Sequence, residues 1–286
     1  MGRRKTKFTD ALVVARMSLS AWADSPRGAF VLLAMAMMCY GALRELRLAM
    51  HPMGYGITWA EAPLFAFHRQ SLLAGTLFLL LMTDLPKKGS AQNYQLIRTS
   101  RARWLSGQVA YCMLMVAVFV AVMIALSLLF AIPILQAGNT WSDTTREQLV
   151  YAFPSEAIFP LATREAMPPA RALFVNIALS GAYWLGLALL ILFSGLIGQS
   201  LFGLVPAMVI QLLPWMINTF VQMEPIYWFP GSYATVFHPQ YAQSPGREFA
   251  ALAVFLSVDL LMVGLMFWRL KRADLSFVSN QGGSMI

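Results

Sequence analysis

LSGQVAYCMLMVAVFVAVMIALSLLFAIPIL, residues 105–135, contains no Asp, Glu, Lys or Arg. A run that long, apolar on every face of a helix, is suited to lipid rather than water. It exceeds the ~20 residues that a bilayer core requires, so it is expected to tilt, to kink at Pro133 or to project beyond the headgroups. Working outward, further runs of this character occupy residues 28–47, 63–83, 172–198, 201–221 and 248–268. The run at 63–83 is the weakest, because His68 and Arg69 interrupt it. Only Gln199 and Ser200 separate the runs at 172–198 and 201–221, with Gly195, Gly198 and Gly203 beside them, so these two helices are expected to be antiparallel neighbours. The expected fold class is all-α integral membrane with six transmembrane helices. Composition agrees: 58% of the 286 residues are hydrophobic and 12% charged, against roughly 45–50% and 25% in an ordinary soluble domain. That balance excludes a soluble enzyme, a disordered tail and a disulfide scaffold. No internal repeat indicates a solenoid.

Orientation follows from the basic residues between the runs. Arg3, Arg4, Lys5, Lys7, Arg16 and Arg27 precede the first, Lys87, Lys88, Arg98, Arg101 and Arg103 follow the second, and Arg269, Lys271 and Arg272 follow the last. The opposite side receives Arg44, Arg47, Arg69, Arg146, Arg164, Arg171 and Arg247, half as many. Both termini are therefore expected in the cytoplasm, and the net charge of +8 reads as membrane topology, with no nucleic-acid partner implied. Within residues 1–27, Phe8, Leu12, Ala15, Leu19 and Trp22 recur at helical spacing among polar residues, as in a cytoplasmic interfacial helix with its basic start near membrane lipids. A helix packed on the protein body would read the same way. The segment lacks the early apolar run and small-residue site of a cleavable signal. The six spans fill residues 28–269, and 270–286 form a short cytoplasmic tail. Cys39 and Cys112 lie within apolar runs and are expected to be free thiols.

The connection at residues 84–105, DLPKKGSAQNYQLIRTSRARWL, carries most of the functional signal. Pro86 and Gly89 stop the preceding run, and Ser90 can cap a short helix. Tyr94, Leu96 and Ile97 are apolar where solvation alone would not choose them, and Arg98, Arg101 and Arg103 crowd the approach to Trp104, expected to anchor the next span at the interface. An apolar knob ringed by arginines suits docking into a groove on a soluble partner. Arginines that enforce topology and bind lipid phosphates, beside side chains resting among the headgroups, account for the same residues.

Thr83-Asp84-Leu85-Pro86, Arg98-Thr99-Ser100-Arg101 and Trp104 together resemble the first intracellular connection of ABC-2 type transporter permeases. The resemblance extends along nearly the whole chain: an interfacial helix, six spans, a minimal fourth-to-fifth turn and a long external segment before the sixth span. It implies that the segment 84–104 is a coupling element, with Tyr94, Leu96, Ile97, Arg98, Arg101 and Arg103 contacting an ABC ATPase subunit. It also implies two permease subunits, identical or paralogous, above two ATPase subunits, in the plasma membrane of a bacterium. No cofactor is expected on this chain; ATP and Mg belong to the partner ATPase. The chain has no G-x-x-x-x-G-K-[ST] and no cytoplasmic segment long enough to fold an ATPase. The external segment at residues 136–171 is longer than the family pattern requires. The family also exports lipids, glycolipids, peptides and drugs, so membership leaves the amphipathic or hydrophobic substrate open.

Asp259 is the sharpest single residue, near the centre of its span, where an unpaired carboxylate is costly. Gln211 lies at matching depth, and a hydrogen bond between the two is expected, with Asn176, Ser180 and Asn218 as further inward polar groups. A structural staple and a substrate or proton site both fit Asp259. Arg69 is expected to pair with Glu45, or to meet an anionic group at the exit. His51 and His238 fall in no metal-ligand cluster. Met35, Met37 and Met38 suit an adaptable apolar cavity, or simple packing. The aromatic and proline-rich segment 222–248 reads either as an interfacial aromatic belt or as a re-entrant gate shielded by protein. Residues 136–171 read as an external cap.

Four functional classes are compatible with an integral membrane chain. A permease energised by a separate ATPase is the leading one, and a membrane scaffold or sensor without its own pathway is the alternative. An intramembrane enzyme is disfavoured, because no second acid, base or nucleophile accompanies Asp259 at its depth. A proton-coupled carrier using Asp259 would more readily show paired interrupted segments or repeated halves.

Overall fold

The computed structural model describes residues 25–50, 56–86, 100–148, 159–198, 201–221, 229–238, 240–241, 244 and 246–272. The interfacial helix expected in residues 1–24, the tip of the coupling connection at 87–99 and the tail beyond 272 lie outside the described residues. Helix α1, Pro26–Met50, starts where the Gly28 amide donates to the Ser25 hydroxyl at 3.1 Å, with Pro26 at the first helical position. Strand β1, Ile57–Thr58, leads into α2, Glu61–Arg69, and α3, Ser71–Met82. Helix α4, Arg101–Ala131, passes through a 3-10 turn at Ile132–Ile134 into β2, Leu135–Gln136, which pairs in parallel with β1 through Ile57↔Leu135 and Thr58↔Gln136. A π-helical turn at Thr144–Gln148 and the short α5, Leu161–Ala166, precede α6, Pro169–Ile197. Helix α7 is Leu201–Val221, α8 is Pro230–Tyr233 and α9 is Arg247–Arg272.

Among the described residues about 83% are helical, and four stretches are long and apolar enough to cross a membrane: Pro26–Leu48, Arg101–Ile134, Pro169–Ile197 and Arg247–Leu270. The α2–α3 pair makes a fifth if it counts as one span; the apolar part of α7, Leu201–Ile217, is shorter. This is the architecture of a multi-pass helical membrane protein. Apolar side chains on α1 (Phe30, Leu33, Met37) and α9 (Val254, Leu260, Leu261) are exposed at the perimeter, as lipid-facing groups are.

Three expectations change. The run at 63–83 is not one straight helix: α2 and α3 are bent by 77° at Gln70, whose φ of −114° leaves the helical range. Its polar neighbours His68, Arg69 and Ser71 supply no apolar surface to continue the stripe, while residues 61–67 are buried throughout. Pro133 ends the third span rather than kinking it, because the chain turns there into β2. Trp104 is 3% exposed and packs in the core, so it does not sit at a lipid interface. Met35 and Met38 are core residues, whereas Met37 faces outward.

Two buried clusters hold the bundle. In the larger, Trp184 of α6 stacks with Phe67 of α2 and Phe78 of α3 and meets Phe119 of α4 edge-on at 5.2 Å. Four helices are thereby locked around one indole. The second cluster joins Leu43 and Leu46 of α1, Ile57, Phe65, Ile134, Trp141, Phe159 and Phe237. At its centre Glu61, with no exposed surface, accepts the Thr58 amide at 2.7 Å and the Ser142 amide at 2.8 Å. At the opposite end of α1, Arg27 pairs with Asp84 and donates to Thr83 at 2.8 Å. The α2–α3 pair thus begins beside the C-terminal half of α1 and finishes at its start.

Candidate functional site

Helix α6 carries Asn176, Ser180, Tyr183 and Leu187 at spacings of four, three and four, which put them on one face. That face borders two adjoining cavities. The first, of about 330 Å³, lies between the α2–α3 elbow (Phe67, His68, Ser71, Leu72), α6, α7 (Gln211, Pro214, Trp215) and the α8 segment (Gly231, Ser232, Ala234, Thr235). The second, of about 650 Å³, lies between α6, Ile210 of α7, the segment around Tyr233 and Tyr241, and α9 from Arg247 to Met262. Tyr183 lines both and stands between them.

The α8 segment is positioned by the polar residues of α6. Asn176 Oδ1 accepts the Val236 amide at 3.1 Å and the Thr235 hydroxyl at 3.3 Å, and Ser180 donates to the Ala234 carbonyl at 2.9 Å. Val236, Phe237, His238 and Tyr241 are buried, and the Phe237 ring meets His68 edge-on at 4.7 Å. Tyr241 donates to the Tyr233 carbonyl at 2.8 Å. Burial raises its phenol above the ordinary range, helped by Tyr233 and Glu248, and keeps it a neutral donor. These aromatics are therefore packed inside the protein rather than arrayed along a lipid interface. Glu248, 2% exposed in the first turn of α9, accepts the Gly246 amide at 2.9 Å and pairs with Arg171 at 3.4 Å.

Gln211 and Asn176 both reach the first cavity, and Asp259 reaches the second. The expected hydrogen bond between Asp259 and Gln211 is not formed. Gln211 Oε1 accepts the Tyr183 hydroxyl at 3.1 Å, and its Nε2 donates to the Ser71 carbonyl at 3.3 Å. Tyr183 intervenes, so matching depth along two helices does not bring the side chains together. The Gln211 amide lies against Gly75 of α3, where a Cβ would fall 2.2 Å from its Nε2 and displace the side chain. Asp259 is 5% exposed and lies against Gly186, where a Cβ would stand 2.9 Å from its Oδ1; its Oδ2 has no hydrogen-bond partner among the described residues.

Of the other expected site residues, Arg69 ends α2 and is exposed, while the side chains of Glu45 and Asn218 lie outside the described residues. Tyr94, Leu96, Ile97 and Arg98 also lie outside them; Arg101 and Arg103 form the first turn of α4. The connection is rooted firmly on its first side. Leu85 and Pro86 are buried, and the Leu85 carbonyl packs so close to Gly195 of α6 that a Cβ there would sit 2.8 Å away. Sequence reasoning missed Tyr183, Gly186 and Glu61. The first two were within reach, because they continue the polar and small-residue face begun by Asn176 and Ser180.

No protein family, no curated protein and no solved structure gives a match to this chain.

Proposed function

We propose that the protein is the membrane-spanning permease subunit of an ABC-2 type transporter, moving an amphipathic or hydrophobic substrate across the plasma membrane. The observation that carries this reading is the pair of adjoining cavities inside a multi-pass helical bundle, one mixing amide and hydroxyl groups with aromatic and aliphatic side chains and the other more apolar with one carboxylate. A pathway for amphipathic cargo needs both kinds of lining, and Tyr183 is placed to divide them. The Arg-rich connection supports the energy source, since its first root is clamped to α6 at Gly195 and its second continues into α4. A force applied at 87–99 would then reach α6, which borders both cavities, and α4, which packs against α6. In this reading α7 is a sixth span, both termini are cytoplasmic, a second permease completes the assembly, and ATP and Mg are bound only by separate ATPase subunits.

The test is co-purification from the native membrane in mild detergent, with mass spectrometry for a nucleotide-binding subunit. Such a subunit is expected to accompany the wild-type chain and to be lost from Arg98→Glu with Arg101→Glu. A chain that purifies without it, or a double variant that retains it, overturns the assignment.

A further inference from the structure

We infer that the second cavity binds a lipophilic cation, an apolar body with a single ammonium or phosphonium charge that pairs with Asp259. Its volume of about 650 Å³ lies within the ~300–1,000 Å³ range of small-molecule sites. The walls are Leu187 and Leu190 of α6, Ile210 of α7, and Val254, Phe255 and Met262 of α9. Against that surface Asp259 is the acidic member of the lining, almost wholly buried, with Oδ2 lacking any partner among the described residues. An isolated carboxylate in such surroundings is costly, and a structural staple would have shown a donor on a neighbouring helix. The basic group on the same lining, Arg247, stands twelve residues earlier on α9, about 18 Å along the axis. That is too far to neutralise Asp259, and it makes the Arg247 end unfavourable for a cation.

Two further features select this ligand. Tyr183, Tyr233, Tyr241 and Phe255 bring aromatic rings to the lining, which favours a weakly hydrated cation over an anion. Val254 and Val258 line the cavity yet are exposed at the lipid-facing perimeter, so the opening is lateral and a ligand partitioned into the bilayer can enter. Gly186 leaves room for the Asp259 carboxylate on the α6 wall of the cavity, since a Cβ there would stand 2.9 Å from its Oδ1. As a binding site this stands on the cavity alone; as a substrate class it rests on the transporter reading.

The test uses the full chain in nanodiscs of phosphatidylcholine, whose neutral surface limits nonspecific adsorption, and radiolabelled tetraphenylphosphonium as the probe. Saturable binding above that of empty nanodiscs is expected, displaced by dodecyltrimethylammonium but not by tetraphenylborate, which has the same shape and the opposite charge. Asp259→Asn should weaken it by about tenfold or more, as when the partner of a buried charge is removed. Asp259→Glu should retain it, and Val254→Trp should block it with the carboxylate in place. If the Asn variant does not fold, the Glu and Trp variants decide. Absent saturable binding, equal displacement by tetraphenylborate, unchanged affinity in Asp259→Asn or unhindered binding in Val254→Trp each overturns the inference. Binding of the cation by a chain that captures no ATPase keeps the site and removes the transporter reading; an ATPase partner without cation binding does the reverse.

Discussion

Glu61 joins β1 to the loop after β2 through two backbone amides, and it does so with no exposed surface. A glutamine there keeps one acceptor oxygen and turns the other into a donor, so one buried N–H loses its partner. Glu61→Gln is expected to cost about 1–3 kcal/mol, and Glu61→Ala, which strands both amides, more. Thermal unfolding of the detergent-solubilised chain checks the order wild type, Gln, Ala; equal midpoints would mean that the two bonds carry no stability. Glu61 sits at the edge of an apolar run, where a charge reads as the limit of a span, so nothing in the pattern marked it as a clasp. Asn176, Gln211 and Asp259 were legible, because polar side chains within apolar runs stand out. Their partners were not. Depth follows from counting residues, but the rotation that sends Gln211 toward Ser71 and leaves Asp259 against Gly186 depends on which helices are neighbours. Trp104 failed for the same reason, since a tryptophan at a span end packs inward if another helix covers it.

At the level of elements, the apolar runs located the helices within a few residues, and Leu201–Val221 was matched at both ends. What periodicity lacked was the elbow at Gln70 and the stop at Pro133, where short polar stretches end one direction without saying what the next will be. The glycines fix how closely these elements approach. Gly203 abuts Ser194 and the Leu190 carbonyl, as antiparallel neighbours joined by a tight turn should. Gly195 is the more consequential, because a Cβ there would lie 2.2 Å from Pro86 Cδ and 2.8 Å from the Leu85 carbonyl. Backbone cannot swing aside as a side chain would, so Gly195→Leu must push the root of the 84–104 connection off α6. We expect a loss of about 1–3 kcal/mol in stability together with loss of the ATPase partner. Gly198→Leu is the control, since a Cβ there meets nothing within 4 Å. Capture of the ATPase by both variants alike would detach the connection's placement from coupling.

For the whole molecule, every later orientation depends on whether the bent α2–α3 pair crosses the membrane or returns to the side it entered. Two contacts bear on this. Ile57, just ahead of α2, pairs with Leu135 beyond the end of α4, whereas Asp84, just after α3, pairs with Arg27 at the start of α1. Helix α1 has 25 residues, about 37 Å of rise, which exceeds the ~30 Å hydrocarbon core. A pair that begins beside the far half of α1 and ends at its beginning is therefore expected to traverse the thickness that α1 traverses. In the proposed orientation, with the arginine bias placing Arg27 inside, Asp84 falls on the cytoplasmic side and Leu161 on the external side. Cys39 and Cys112 are buried in the core and out of reach of an impermeant maleimide, so reporter cysteines can be introduced at those two exposed positions with both native thiols in place. The Arg27–Asp84 pair is largely exposed and is worth about 0–1 kcal/mol, so losing it should not unfold the chain. An impermeant maleimide is expected to label Leu161→Cys in intact cells and Asp84→Cys only after permeabilisation. Labelling of both from outside would make the pair re-entrant. The reversed pattern would put the arginine-rich connection where no ATPase can reach it, and the permease reading would fall with it.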